Sequence, residues 1–384
     1  MAGSSHPVEI VVDSGRIQTI GSPSFPGPGI GGENSWVAPA FFDVQVNGFA
    51  GVDFNSPGLT DELMNRVIER LREKGVVFFC PTVITHSFDH LAMCLRALSE
   101  ACKAAVVANA IAAIHLEGPY LSHEDGPRGA HPLEHIREAS WDEFQRLQDC
   151  AEGRIGMVTL APEVPGALGL TQRLVESGVV VAIGHTAAAP ETIRQAVQAG
   201  AKISTHLGNG SHTRIPRHRN YIWEQLACDE LWASFIVDGH HLPPSVVKCM
   251  IRAKGCHHSI LTSDAISAAG MPPGLYQLGS ARVVVHPNLY VERADSVGSG
   301  ILAGSALDLL RGVENVIRFA GVSQEEAILM ASENPARLMG LEQRLGTIEP
   351  GREANLILFR VEGSSIHLEC TVQGGDVVYK NPDC

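Results

Sequence analysis

Across residues 41–264 the chain alternates short apolar runs with longer stretches of helical periodicity, and few folds accommodate that pattern. Residues 41–48, 76–84, 110–118, 155–162, 179–185, 202–207, 232–238 and 259–264 read as strands. Helical spacing fills 61–74, 88–105, 140–149, 167–177, 190–199 and 243–253, several of these opened by Thr, Ser or Pro. Strands separated by helices pair in parallel through crossovers. Eight such units in roughly 300 residues predict a closed (β/α)8 TIM barrel. A doubly wound open sheet is the runner-up, but it would carry a glycine-rich phosphate turn after its first strand. Gln45-Val46-Asn47-Gly48 is not one.

The two ends have another texture. Residues 8–20, and 354–359 with 370–379, are short strand-like runs broken by turn residues, which is the mark of antiparallel sheet. Residues 22–32, rich in Pro and Gly, read as a linker. The predicted division is a barrel at 38–342 and a small β-sandwich domain assembled from 1–37 and 343–384.

Composition narrows the function. Of 384 residues, 29 are Lys or Arg and 42 are Asp or Glu, a net charge of −13 that argues against general binding to nucleic acid or anionic membranes. An anionic ligand must find a local basic patch. Nine cysteines with no C-x-x-C pair do not form a disulfide framework or a structural zinc cluster, and they suit a reducing cytoplasm. Cys249 and Cys256 read as buried thiols. Residues 1–12 lack a basic segment followed by an apolar run, and the longest nearly apolar stretch, 104–114, is too short to span a bilayer. Neither export nor membrane insertion is expected.

Barrel enzymes place their chemistry at the C-terminal ends of strands. Here ionisable residues close otherwise apolar runs: Glu117 the third, His185 the fifth, His206 the sixth and Asp264 the eighth. A single His at a strand end is usually a hydrogen-bonded core residue, and a single Glu usually a cap or an ion-pair partner. Four at four strand ends are harder to explain separately, because each charge there is costly unless paired. Glu117, His185 and His206 supply one carboxylate and two imidazoles, which suits a catalytic divalent metal with a fourth position open. Asp264 would sit across the mouth. His115, two residues before Glu117 and on the same strand face, reads as a core or supporting residue.

The ordered set Gln45-Val-Asn-Gly, His115-Leu-Glu-Gly-Pro-Tyr-Leu, Gly184-His-Thr, Thr205-His-Leu-Gly-Asn, Asp238-Gly-His-His and Thr262-Ser-Asp-Ala resembles the amidohydrolase superfamily and, within it, the N-acetylglucosamine-6-phosphate deacetylases. The resemblance covers nearly the whole chain. It implies that Glu117, His185 and His206 are the ligands of a single divalent metal, zinc first with iron, cobalt or manganese as alternatives, and that Asp264 is the catalytic aspartate. It implies further that His241 contacts substrate near the scissile amide, that Asn209 and Gly210 contact substrate, and that His131 is associated with the sugar phosphate. Relatives carry Ala where Gly210 stands. Two absences sharpen the expectation. Gln45 and Asn47 occupy the places of a His-x-His pair that holds a second metal elsewhere in the superfamily, and no Lys ends the fourth strand, where Glu163 reads as the partner of a basic residue ahead of a hydrogen bond to substrate.

Residues 211–220 gather Arg214, Arg217, Arg219, His212 and His218 in an otherwise acidic chain. Arginine's planar fork suits phosphate, although a solvated loop with rim ion pairs accounts equally well for such a segment. By the resemblance Arg217 is the phosphate ligand, with Arg219 the alternate. Residues 298–305 read as an ordinary glycine turn before a helix at 306–320, and Trp141, Trp223 and Trp232 as packing residues.

The expected activity is metal-dependent hydrolysis of the acetamido group of N-acetylglucosamine 6-phosphate by a cytoplasmic homodimer, with Asp264 as base and then acid. Deacetylation of another N-acetyl amino sugar, a different single-metal amidohydrolase reaction and a non-catalytic binding barrel remain as alternatives.

Overall fold

The structure, a computed structural model, describes residues 7–23, 29–32, 34–278, 281–295, 297–298, 302–363 and 365–382. Residues 24–28 of the linker reading and 299–301 of the glycine turn lie outside the described residues.

Eight parallel strands follow one another around a single sheet in chain order. They are β1 (Phe41–Val46), β2 (Val76–Ile84), β3 (Ile114–Glu117), β4 (Ile155–Leu160), β5 (Val180–Ile183), β6 (Ile203–Ser204), β7 (Trp232–Ile236) and β8 (Ser259–Thr262). The ring closes where Val46 bridges Ala265 in parallel; there Asp264 N donates to Gln45 O at 3.1 Å and Asn47 N to Ala265 O at 2.8 Å. The fold is the expected (β/α)8 barrel.

Six of the strands, β1 and β4 to β8, stop two or three residues short of the predicted C-terminal limits. For three of them the reason lies in the backbone. His185, His206 and Asp264 have φ of 49°, 28° and 48°, a left-handed conformation that turns the chain off the strand direction where each functional side chain begins.

The surrounding helices obey local rules. Asp61–Arg72 is capped by Thr60, whose hydroxyl accepts from Leu63 N, and it buries Met64, Val67, Ile68 and Leu71, the i, i+3, i+4, i+7 stripe that packs on the barrel. Ser87, Ser140 and Asp308 cap the helices Phe88–Ala101, Trp141–Cys150 and Leu309–Ala320 in the same way. The predicted helix 88–105 divides instead into Phe88–Ala101 and Ala105–Ala110. The nearly apolar run 104–114 is therefore mostly helix, and the third strand, predicted from 110, begins only at Ile114.

One unit is absent from the sequence reading. Between β8 and the helix Leu309–Ala320, the strands Gly274–Leu278, Ala281–Val285 and Val291–Arg293 form an antiparallel sheet. It has its own small core of Ile266, Ala268, Val283, Val285, Val291 and Ala306.

The ends of the chain meet in a small β-rich domain. Trp36–Pro39, Leu356–Glu362, Ser365–Gln373 and Asp376–Lys380 form a four-stranded antiparallel sheet. The hairpin Glu9–Asp13/Arg16–Gly21 joins it through Ile17 N to Arg352 O and Ala354 N to Gly15 O. Ile17 is buried with Ala354, Leu356, Leu358, Cys370 and Val372, so neither terminal segment completes this core alone. Gln373 ties the domain to the barrel, accepting from Arg72 and donating to Val77 O and Asn109 O.

The eight described cysteines are free. Cys249 is exposed and Cys256 half-buried, so the expectation of two buried thiols is corrected: Cys249 falls on the outer face of the helix Pro244–Lys254. Among the described residues no helix is long and apolar enough to cross a membrane.

Candidate active site

Glu117 ends β3, His185 follows β5 by two residues and His206 follows β6 by two, which brings them to one rim of the barrel. Glu117 Oε1 lies 3.2 Å from His185 Nε2 and 3.1 Å from His206 Nε2, and the three side chains each offer a ligand atom within 4.8 Å of the others. All three are buried.

The donor set fits a divalent cation of the zinc type, namely one carboxylate oxygen and two imidazole nitrogens. The tautomers fit as well. His185 Nδ1 is 2.9 Å from Pro127 O, and a carbonyl can only accept, so this nitrogen carries a proton and Nε2, which faces Glu117, is the atom that could serve an ion in place of its own proton. His185 is also enclosed on its sides. Gly129 and Gly210 approach the ring, and at Gly210, with φ 57°, a Cβ would stand 2.7 Å from Nδ1. A side chain at 210 would therefore crowd the imidazole.

Charge inside the cluster is strongly coupled. Burial alone would push the Glu117 carboxyl up, yet hydrogen bonds from His185 and His206, with their charge, hold it well below the usual carboxylate range. Burial would lower His206, but Glu117 and Asp264 raise it. Asp264, half-buried, is raised by burial and by Glu117 against the opposing pull of His206, His241 and the Asn47 amide.

The remaining predicted residues divide into an inner and an outer group. His131 is inner: it is buried, with Nε2 3.2 Å from His185 Nε2, and burial followed by the charge of His185 drives its pKa down to about 3. His131 Nδ1 is buried without a hydrogen-bond partner among the described residues. His241 donates to Asp238, Nδ1 to Oδ2 at 2.6 Å, and Asp238 also accepts from the backbone of residues 240 and 241. Although burial works the other way, these contacts keep Asp238 below its ordinary value. Asn209 lies directly behind His206 and donates from Nδ2 to its carbonyl at 3.1 Å.

The outer group is the basic loop. His212 Nε2 is 3.0 Å from Glu124 of the loop after β3, and Tyr221 OH is 2.9 Å from His212 N, which pins the start of the segment. Arg219 is spent on Glu191 at 2.5 Å. The Arg217 guanidinium makes no hydrogen bond or ion pair among the described residues; only its carbonyl is engaged, by Trp223 Nε1 at 3.2 Å. Trp223 itself is 55% exposed, against the expectation of a packing role.

Glu163 corrects another expectation. Its two oxygens accept from Thr186 Oγ1 and Ala187 N, both at 2.6 Å, so it shapes the turn after His185 rather than pairing with a base. His115 behaves as expected of a supporting residue: its Nε2 is 2.7 Å from Thr159 Oγ1, which in turn is 2.7 Å from Thr205 Oγ1, a buried polar floor beneath the ligands.

Sequence reasoning passed over three contributors. Pro127 O and Asp238 orient histidines; Asp238 stands in the quoted Asp238-Gly-His-His motif, but its role there was not read. Asp43, fully buried on β1, accepts from Thr262 Oγ1 at 2.7 Å and Ser263 N at 3.2 Å. It had a visible signal, since it stands two residues before Gln45 in an apolar strand and so shares its face.

Comparison with known proteins agrees with this geometry. The Amidohydrolase family matches residues 36–378. N-acetylgalactosamine-6-phosphate deacetylase of Escherichia coli O157:H7 is 33% identical over 336 residues, covering 87% of this chain and 85% of the relative. N-acetylglucosamine-6-phosphate deacetylase of Vibrio furnissii is 31% identical over 341 residues, covering 89% and 82%. Among solved structures, N-acetylglucosamine-6-phosphate deacetylase of Pasteurella multocida superposes with a TM-score of 0.87 at 27% identity over 97% of this chain and 95% of the other. The Mycobacterium smegmatis enzyme, an aspartate-to-alanine variant in complex with N-acetyl-D-glucosamine-6-phosphate, gives 0.85 at 28% over 96% and 94%. The chain therefore belongs to the amidohydrolase family and is a hydrolase of the N-acetylglucosamine-6-phosphate deacetylase type.

Proposed function

We propose that the protein hydrolyses the acetamido group of N-acetylglucosamine 6-phosphate to glucosamine 6-phosphate and acetate. The observation that carries this reading is the convergence of Glu117, His185 and His206, with Asp264 close enough that His206 and Glu117 act on its charge. A divalent cation held by those three residues supplies Lewis acidity, polarising a carbonyl oxygen and making water more acidic. Zinc is the ion assigned, with iron, cobalt and manganese suited to the same donors. One ion per chain is the stoichiometry, because Gln45 and Asn47 stand where a second would need histidines.

Asp264 takes a proton from the attacking water as its oxygen bonds to the amide carbon, and returns it to nitrogen as the C–N bond breaks. An amine would be a poor leaving group without that proton. His241, as an imidazolium whose Nδ1–H donates to Asp238, offers its Nε2–H to the carbonyl oxygen as charge gathers there. Asn209 and Gly210 are assigned to the acetamido end; His131, expected beside the sugar phosphate, packs against His185 instead and is assigned there too. Arg217 takes the phosphate, since Arg219 is already paired with Glu191. The working form is a cytoplasmic homodimer.

A second reading has one specific support: the E. coli relative acts, by its name, on the galactosamine epimer. Acetate release from both 6-phosphates and from the unphosphorylated sugars separates the readings. The expected result is a kcat/KM for N-acetylglucosamine 6-phosphate at least about tenfold above its epimer and higher still above the free sugars. Release of ammonia, or preference for a free sugar, contradicts the proposal.

A further inference from the structure

Asp43, Gln45 and Asn47 stand at alternate positions on β1 and its immediate extension, so they share one face. All three serve the segment that carries Asp264. Gln45 Nε2 lies 3.0 Å and Asn47 Nδ2 2.7 Å from the same carboxylate oxygen, Asp264 Oδ1. Asp43 accepts from Thr262 Oγ1 and Ser263 N, the two residues just before it, and Asp264 N donates to Gln45 O at 3.1 Å. The backbone so held has a φ of 48° at Asp264.

The two amides have no other employment. Neither side chain makes another hydrogen bond among the described residues, and Asn47 Oδ1 is buried without a partner. A turned amide would set its oxygen against the carboxylate, so the nitrogens must face Oδ1. Two donors on one oxygen fix the carboxylate plane and occupy that oxygen's lone pairs.

We infer that Gln45 and Asn47 are positioning residues of the reaction, which commit Asp264 Oδ1 and leave Oδ2 as the only oxygen that carries the proton. The inference rests on Asp264 being the proton carrier proposed above. The water proton moves to Oδ2 as the water oxygen bonds to carbon, and the same proton moves to nitrogen as the C–N bond breaks; Asp264 ends as it began. Asp43 secures the backbone on which the arrangement depends. The places that hold metal ligands in two-metal relatives thus have a function of their own in this chain.

The test is a set of double-mutant cycles on the metal-loaded enzyme, with Asn47→Ala and Gln45→Ala made in the native and the Asp264→Asn backgrounds. Metal content and melting temperature establish that each variant is folded. In the native background each amide variant is expected to lower kcat roughly tenfold, the size of a hydrogen bond to a charged group, with KM within about twofold. In the Asp264→Asn background neither adds a further loss. Crystal structures of the two single variants are expected to show the Asp264 carboxylate rotated. Near-native kcat in both, losses that multiply with Asp264→Asn, or an unmoved carboxylate overturns the inference while leaving Asp264 in its role. Near-native turnover of Asp264→Asn alone would remove that role and the inference with it.

Discussion

At the scale of single residues, the site depends on a division of labour between side chains that bind and side chains that hold. Asp264→Asn keeps Glu117, His185 and His206 intact, so it is expected to retain one ion per chain and to lose about 10²-fold or more in kcat, read by acetate release beside metal analysis. The arginines separate in a comparable way. The Arg217 guanidinium has no partner among the described residues and Arg219 has Glu191, so Arg217→Ala should raise KM for the phosphorylated sugar by at least about tenfold, while Arg219→Ala changes it less than about threefold. The opposite ranking would move the phosphate to Arg219. Glu117, His185, His206 and Asp264 were legible in the sequence because a charge at the end of an apolar run is costly unless it has a use. Pro127 O and Asp238 were not, because a carbonyl carries no sequence identity and an i, i+3 carboxylate–histidine contact looks like any surface pair.

At the scale of elements, strand identity was readable from the length and β-branching of the apolar runs, and strand ends were not. The ladders of β5, β6 and β8 stop where His185, His206 and Asp264 enter left-handed backbone, a conformation that propensity disfavours and tertiary contacts impose. The antiparallel sheet at 274–293 escaped notice because its strands are only three to five residues long, too short to set a clear period in the sequence. The polar floor on β3 has a measurable consequence. Burial lowers the pKa of His115 from 6.5 to about 4, so the folded state keeps it neutral while the unfolded chain binds a proton. Its contribution to stability is full above pH 6.5 and fades as pH falls towards 4, amounting to roughly 3 kcal/mol at most. Urea midpoints measured from pH 7 to pH 4 should fall, and His115→Gln should flatten that dependence; an unchanged slope assigns the acid sensitivity to other groups.

At the scale of the molecule, the barrel ring carries the chemistry and the joined termini close a second core against it. The (β/α)8 plan was legible because the alternation of periods repeats eight times, and the pairing of the two ends because both carry strand texture that neither could bury alone. Glu117, His185 and His206 form a group able to hold a metal ion, and the proposal assigns them one cation. Binding at 100 times the dissociation constant stabilises the folded state by about 2.7 kcal/mol, so chelation should lower the melting temperature of the native chain and leave that of Glu117→Gln unmoved. The most direct measurement is anomalous diffraction from crystals grown with zinc. The expected result is a single peak about 2.0–2.2 Å from Glu117 Oε1, His185 Nε2 and His206 Nε2. A peak elsewhere, or a second one beside Gln45 and Asn47, contradicts the account.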